Sequence, residues 1–184
     1  MAAKPKTKEH KLTDVYRGSS IFDKRRGYYF AEAASVSLDR QQHGMSVIFR
    51  VTGHIRSTCR IIRLPVDEPM RKFHGDERVA AEVGGYCLAF IILRETKNLY
   101  PVEKSRTGTG FDYWIGDKDD HLFQGKARLE VSSILSENNN NKIKTRVQRK
   151  ERQTRQSDCT GLPAYVVIVE YSKLVIHTSK RDAR

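Results

Sequence analysis

Lys126–Ile134, K-A-R-L-E-V-S-S-I, is the stretch from which the fold is read, because its side chains alternate with a period of two. In a strand, Ala127, Leu129 and Val131 fall on one side, and Lys126, Arg128, Glu130 and Ser132 on the other. Phe111–Gly116, F-D-Y-W-I-G, repeats the pattern upstream. There Phe111, Tyr113 and Ile115 form the apolar side, opposite Asp112 and Trp114. Each carboxylate thus stands on the face away from its strand's apolar set. An antiparallel pairing that sets Asp112 opposite Glu130 needs a turn centred on residue 121, where the polar stretch Asp117–His121 ends, so that a turn over about Asp117–Gln124 fits. A tight turn at Lys118-Asp119 instead brings Asp112 near Gly125 or Lys126. Both registers are open on the sequence.

Outward from this pair, Leu99–Arg106 reads as a strand before it, and Leu122–Ile134 as the full extent of the strand carrying Glu130. Upstream lies a helix, with Asp76 as its N-cap and Val79, Val83, Tyr86, Phe90 and Leu93 at helical spacing. Gly84-Gly85 weakens that helix by about 1 kcal/mol per glycine relative to alanine, which close approach to another backbone would justify. Downstream, Asn138–Asn141 is a loop, Lys142–Gln156 a basic helix, and Ala164–Tyr171 a strand buried on both faces. Leu174–Thr178 reads as a last short strand. Before residue 71, Tyr28–Leu38, Met45–Thr52 and Thr58–Val66 are rich in aromatic and β-branched residues and punctuated by Gly and Pro. They predict an antiparallel β-meander.

The predicted organisation is α+β (mixed α/β). A flexible basic segment at 1–27 precedes the meander at 28–70 and an α/β core at 71–180, whose element order is helix, three strands, helix, strand.

The chain has 184 residues, 38% hydrophobic and 30% charged, with a net charge of +12. Its mean hydropathy is −0.62 and its pI about 9.8. That charge favours a polyanionic partner, above all nucleic acid, because neutralising phosphates releases counterions. A protein partner or homodimer also fits. No run of 18 apolar residues spans a membrane. The leading MAAKPKTKEHK lacks the apolar core of a secretory signal. Three scattered cysteines suit a reducing cytoplasm. Neither they nor the six histidines show zinc-ligand spacing.

Two neighbouring carboxylates repel one another and stay ionised most readily around a hard cation. Mg²⁺ or Mn²⁺ between Asp112 and Glu130, with Glu82 as a third ligand from the preceding helix, would serve hydrolysis of a phosphodiester. The same residues equally suit ion pairs with Lys126 and Arg128. Trp114 shares Asp112's face, where it could stack on a base or pack. Lys142, Lys144, Arg146, Arg149, Lys150 and Arg152 charge the basic helix, and their mutual repulsion is relieved by an anionic partner. Gly108-Thr109-Gly110, ahead of Asp112, permits a tight turn. It lacks the Gly-Lys-Ser/Thr of a P-loop.

The order of elements, with G-T-G-F-D at Asp112 and R-L-E-V-S at Glu130, resembles the PD-(D/E)XK, or restriction-endonuclease-like, nuclease superfamily over Asp76–Tyr171. The resemblance implies a Mg²⁺-dependent endonuclease acting on DNA, or less readily RNA, in a prokaryotic antiviral defence or DNA-processing system. Asp112, Glu130 and Glu82 would hold metal. The superfamily's lysine, two residues after the glutamate, is replaced here by Ser132. Lys126, on the same face, or Lys144, from the basic helix, would then take its place. A non-catalytic nuclease-like subunit that binds nucleic acid or a partner protein is the alternative.

Overall fold

In the computed structural model, which describes residues 8–118 and 126–183, the central helix begins where its cap requires. The Asp76 carboxylate accepts from the backbone N–H groups of Arg78 and Val79 and starts Glu77–Lys97 (α3). These bonds satisfy donors that a helix N-terminus otherwise leaves free. From Gly84 to Leu93 nearly every residue of this helix is buried, so it is a core helix and not a half-exposed one.

One mixed sheet contains all eight strands: Lys8–Lys11 (β1), Ser46–Gly53 (β2), Ser57–Ile62 (β3), Tyr100–Lys104 (β4), Tyr113–Gly116 (β5), Ala127–Ile134 (β6), Ala164–Glu170 (β7) and Val175–Arg181 (β8). Their spatial order is β1-β3-β2-β8-β7-β6-β5-β4. β4, β5 and β6 form an antiparallel meander. The helix Ile143–Thr154 (α4) then carries the chain from β6 to its parallel neighbour β7, as a parallel pair requires a crossover. β8 returns antiparallel to β7 and pairs in parallel with β2. The strands before residue 71 therefore extend the same sheet as those after it.

The first predicted strand is a helix. Tyr28–Leu38 lies inside Lys24–Arg40 (α1), started by Asp23, whose carboxylate accepts from Arg26 N–H at 2.8 Å. Gly27, Phe30, Ala31, Ala34 and Leu38 form its buried stripe, and the alanines favour helix over strand. The expected meander at 28–70 reduces to the antiparallel β2–β3 hairpin, followed by the short helix Glu68–Phe73 (α2). Strand Thr58–Val66 ends at Ile62, before Pro65. Nor is the described part of 1–27 structureless. Lys8–Lys11 is an edge strand parallel to β3, and Leu12–Tyr16 is a 3-10 turn whose Leu12 and Val15 are buried. Residues 1–7 lie outside the described residues, as do residues 119–125, which hold most of the expected β5–β6 turn.

α1 and α3 cover one sheet face and α4 the other. On the first side Phe30, Ala34 and Phe90 share a core with Leu129, Val131, Val167 and Val169. On the second, Ile143 and Val147 of α4 pack on Ile134, Val166 and Ile168. β7 is accordingly buried on both faces. At Gly84 and Gly85 α3 comes close to its neighbours. A Cβ on Gly84 would stand 2.5 Å from Ala34 Cα, and one on Gly85 would stand 2.2 Å from Ser133 Oγ. Among the described residues, no helix is long and apolar enough to cross a membrane.

Candidate functional site

The β5–β6 register pairs Tyr113 with Leu129, Trp114 with Arg128 and Ile115 with Ala127. Continued by one residue, it brings Asp112 opposite Glu130, the wider-turn register of the two that the sequence leaves open. Asp112 N–H donates to Leu129 O at 2.8 Å. Its Oδ2 accepts from Val131 N–H, also at 2.8 Å. The carboxylate thus supplies a partner to the first β6 amide that β5 does not reach.

Glu130 points to the α4 side and is 1% exposed. Its Oε1 accepts from the Lys150 ammonium and, at 3.1 Å, from Gln153 Nε2. Its Oε2 is buried and has no hydrogen-bond partner among the described residues. Burial, with the neighbouring Asp112 charge added, pushes the Glu130 carboxyl up to about 7. Burial likewise raises Asp112, against the pull of Val131 N–H and Lys150. The pair favours sharing a proton over carrying two charges in this low-dielectric site.

Glu82 is exposed on α3 and reaches this pair through Tyr86, whose hydroxyl donates to Glu82 Oε1 at 3.4 Å. The Tyr86 phenol is raised by burial and by the nearby Asp112 and Glu82. No three His, Cys, Asp or Glu side chains among the described residues converge into a ready-made metal cage. The donors present still suit a hard cation such as Mg²⁺, which takes one or two carboxylates and completes its shell with water or phosphate oxygens. The partnerless Oε2 of Glu130 is the oxygen on which that fit rests.

The lysine in contact with Glu130 is neither of the two the sequence suggests for hydrolysis. Lys126 is exposed and pairs with Asp117 at the far end of the β5–β6 pair. Lys144 lies on the exposed side of α4. Lys150 turns inward, and α4's only apolar residues give the signal for it. Ile143 and Val147 fix the inner stripe, and the next positions of that stripe are Lys150 and Thr154. Ser132 Oγ accepts from Arg146 Nη1 at 3.3 Å.

Beyond Val131 no described residue pairs with β6 on its β5 side, and a cleft of about 450 Å³ opens there. Arg78 and Glu82 of α3 form one wall, Arg146 and Lys150 of α4 another, and Ser132–Ser136 the floor. A second hollow of about 270 Å³ shares Asn141 and Arg146 with it and adds Lys142 and Arg149. Arg152 is exposed further along α4. Trp114 packs edge-on against Phe111, ring centroids 4.6 Å apart, and does not line the cleft. Arg78, Tyr86 and Gln153 are the site residues that the sequence reading lacks. Arg78 and Tyr86 fall on either side of Glu82, each four residues away.

Comparison with family models, with curated proteins and with solved structures returns no match.

Proposed function

We propose that the chain is a metal-dependent nuclease with a divergent restriction-endonuclease-like core, hydrolysing phosphodiester bonds of DNA or RNA. One observation carries the reading: Asp112 and the buried Glu130 stand opposed on β5 and β6, Glu130 is bonded by Lys150, which lines the adjoining basic cleft, and its Oε2 has no hydrogen-bond partner among the described residues. The run α3-β4-β5-β6-α4-β7 supports it, since this is the helix, three strands, helix, strand order of the resemblance.

Asp112 and Glu130 would hold Mg²⁺ or Mn²⁺, with Glu82 able to join from α3. When bound, the ion supplies a hydroxide nucleophile at neutral pH and stabilises the leaving oxygen. The chain's own residues do the rest. Lys150 pulls against the burial that favours Glu130's neutral form and presents its ammonium beside the carboxylate, where it can orient the attacking water and balance charge on the phosphate. Ser132 is neutral and leaves that role to α4. Arg146 and the exposed Lys142, Arg149 and Arg152 draw the polyanion along the helix.

A second reading, a non-catalytic nucleic-acid-binding subunit, draws on the fact that Lys150 and Gln153 already satisfy Glu130 Oε1. One experiment separates the two. Plasmid DNA and RNA are incubated with the protein and Mg²⁺ or Mn²⁺, beside Asp112→Ala and Glu130→Ala. Metal-dependent cleavage lost in both variants is the expected result. Salt-sensitive binding without cleavage supports the second reading and contradicts the first.

A further inference from the structure

We propose that Arg78 and Arg146 form a two-guanidinium clamp for the phosphate next to the one being cleaved, so that the site requires consecutive phosphodiesters. This rests on the nuclease reading above.

The two arginines are placed symmetrically about the carboxylate pair. Arg78 precedes Glu82 by four residues on α3, and Arg146 precedes Lys150 by four on α4. Each is therefore one helical turn, ~6 Å, from the side chain that reaches the centre. Both helices run antiparallel to β6. On α4, Lys150 meets Glu130, Arg146 meets Ser132, and Ile143 and Val147 pack on Ile134. On α3, Phe90 packs against Tyr113, the partner of Leu129, while Gly85 lies over Val131 and Ser133. Both arginines are thus displaced from the carboxylates toward the same end of β6, and both line the cleft.

Among the described residues neither has an acidic partner. Arg146 is oriented by neutral oxygens alone, Ser132 Oγ at 3.3 Å and Asn141 Oδ1 at 2.5 Å. Burial and the adjacent Arg149 disfavour its charge, a strain that a bound anion removes. Arg78 makes no ion pair or side-chain hydrogen bond among the described residues. Two forked donors without counter-charges, facing one cleft from opposite layers of the fold, match the oxygens of a phosphate. One helical turn is comparable to one nucleotide step. The ligand is therefore a flanking phosphate of a polynucleotide strand.

The test uses a labelled oligonucleotide on which the wild-type protein's cleavage position has been mapped in Mg²⁺. The phosphates flanking that position are then replaced by neutral methylphosphonates. Wild-type kcat/KM should fall about tenfold or more on the modified strand, the loss expected for removing charge-assisted hydrogen bonds. In the Arg78→Ala/Arg146→Ala double variant, shown by thermal melting to be folded, that discrimination should shrink to about twofold or less if the two arginines are its source. Equal cleavage of both strands by the wild type overturns the clamp and leaves the nuclease reading standing. So does undiminished discrimination in the double variant, or displacement of the oligonucleotide by polyglutamate at matched charge, which assigns the arginines to an acidic protein segment. A wild type that cleaves no oligonucleotide in Mg²⁺, so that no position can be mapped, overturns the nuclease reading and the clamp with it.

Discussion

Lys150 on α4 donates its ammonium to Glu130 on β6, so the lysine beside the carboxylates comes from a helix and not from the strand that carries the acid. Position 132, two residues after Glu130, holds a serine whose hydroxyl accepts from Arg146. Arg146 and Lys150 are one turn apart on the inner side of α4. The positive side of the site is in this way supplied by the helix. A carboxylate as deeply buried as Glu130 needs such a partner, because an unpaired ion in the interior is several kcal/mol unfavourable.

The raised Glu130 carboxyl ties stability to pH. Its folded value is about 7 against an ordinary 4.5. Between those values the folded protein binds the proton more tightly than the unfolded chain, so stability falls as pH rises from about 4.5 through about 7. Asp112 is shifted in the same direction. The loss attributable to Glu130 is on the order of 3 kcal/mol. Urea denaturation of the metal-free protein across this range, beside Glu130→Gln, should show a flatter profile for the variant. Equal slopes would contradict the assignment.

Arg128 fastens β6 to the segment after α4. It is fully buried and donates to Thr154 O at 2.8 Å, Ser157 Oγ at 2.8 Å, Leu162 O at 2.6 Å and Asp158 Oδ1 at 3.0 Å. Arg128→Met strands these acceptors and should lower stability by about 3 kcal/mol or more. Arg181→Met should lower it less, since Asp158 then keeps Arg128 and Arg181 is partly exposed. Chemical denaturation of the two variants decides the order.

Gly84 and Gly85 differ in what stands above them. Alanine gains about 1 kcal/mol of helix propensity over glycine at either position. At Gly84 the added methyl meets the α1 backbone at Ala34, whereas at Gly85 it meets the rotatable Ser133 hydroxyl. Gly84→Ala should therefore destabilise by about 1–3 kcal/mol, the range for overpacking, and Gly85→Ala by less. A thermal melt in which Gly84→Ala is neutral would show that α1 and α3 can separate without loss.

Much of the second half of the fold was legible because its signals are local. Asp76 is a strong cap, and the centre of β7, Val166–Val169, is wholly β-branched. The alternation in β5 and β6 left two registers, of which the structure takes the one with Asp112 opposite Glu130. Tyr28–Leu38 misled because its aromatic start resembles a strand, while Asp23 and the stripe Gly27, Phe30, Ala31, Ala34 and Leu38 lay outside or across that reading. The parallel pairing of β2 with β8 joins residues more than a hundred positions apart and leaves no local mark. At the site, both carboxylates could be read from alternation. Which lysine approaches them depends on how α4 is rotated, and that is fixed by Ile143 and Val147 packing on β6 and β7.

The most direct test of the three-part site, Asp112, Glu130 and Lys150, is the single-turnover rate of Mg²⁺-dependent cleavage of a labelled duplex. It should be measured for wild type, Lys150→Ala and Lys126→Ala under conditions where circular dichroism shows all three folded. The account predicts that Lys150→Ala slows cleavage by about 100-fold, the range for losing a positioned proton-transfer or charge-stabilising group. Lys126→Ala, which removes only a partner of Asp117, should stay within about twofold of wild type, as an exposed ion pair contributes little. Cleavage that survives in Lys150→Ala but is lost in Lys126→Ala would contradict the account, as would a wild type that cleaves nothing in Mg²⁺ or Mn²⁺.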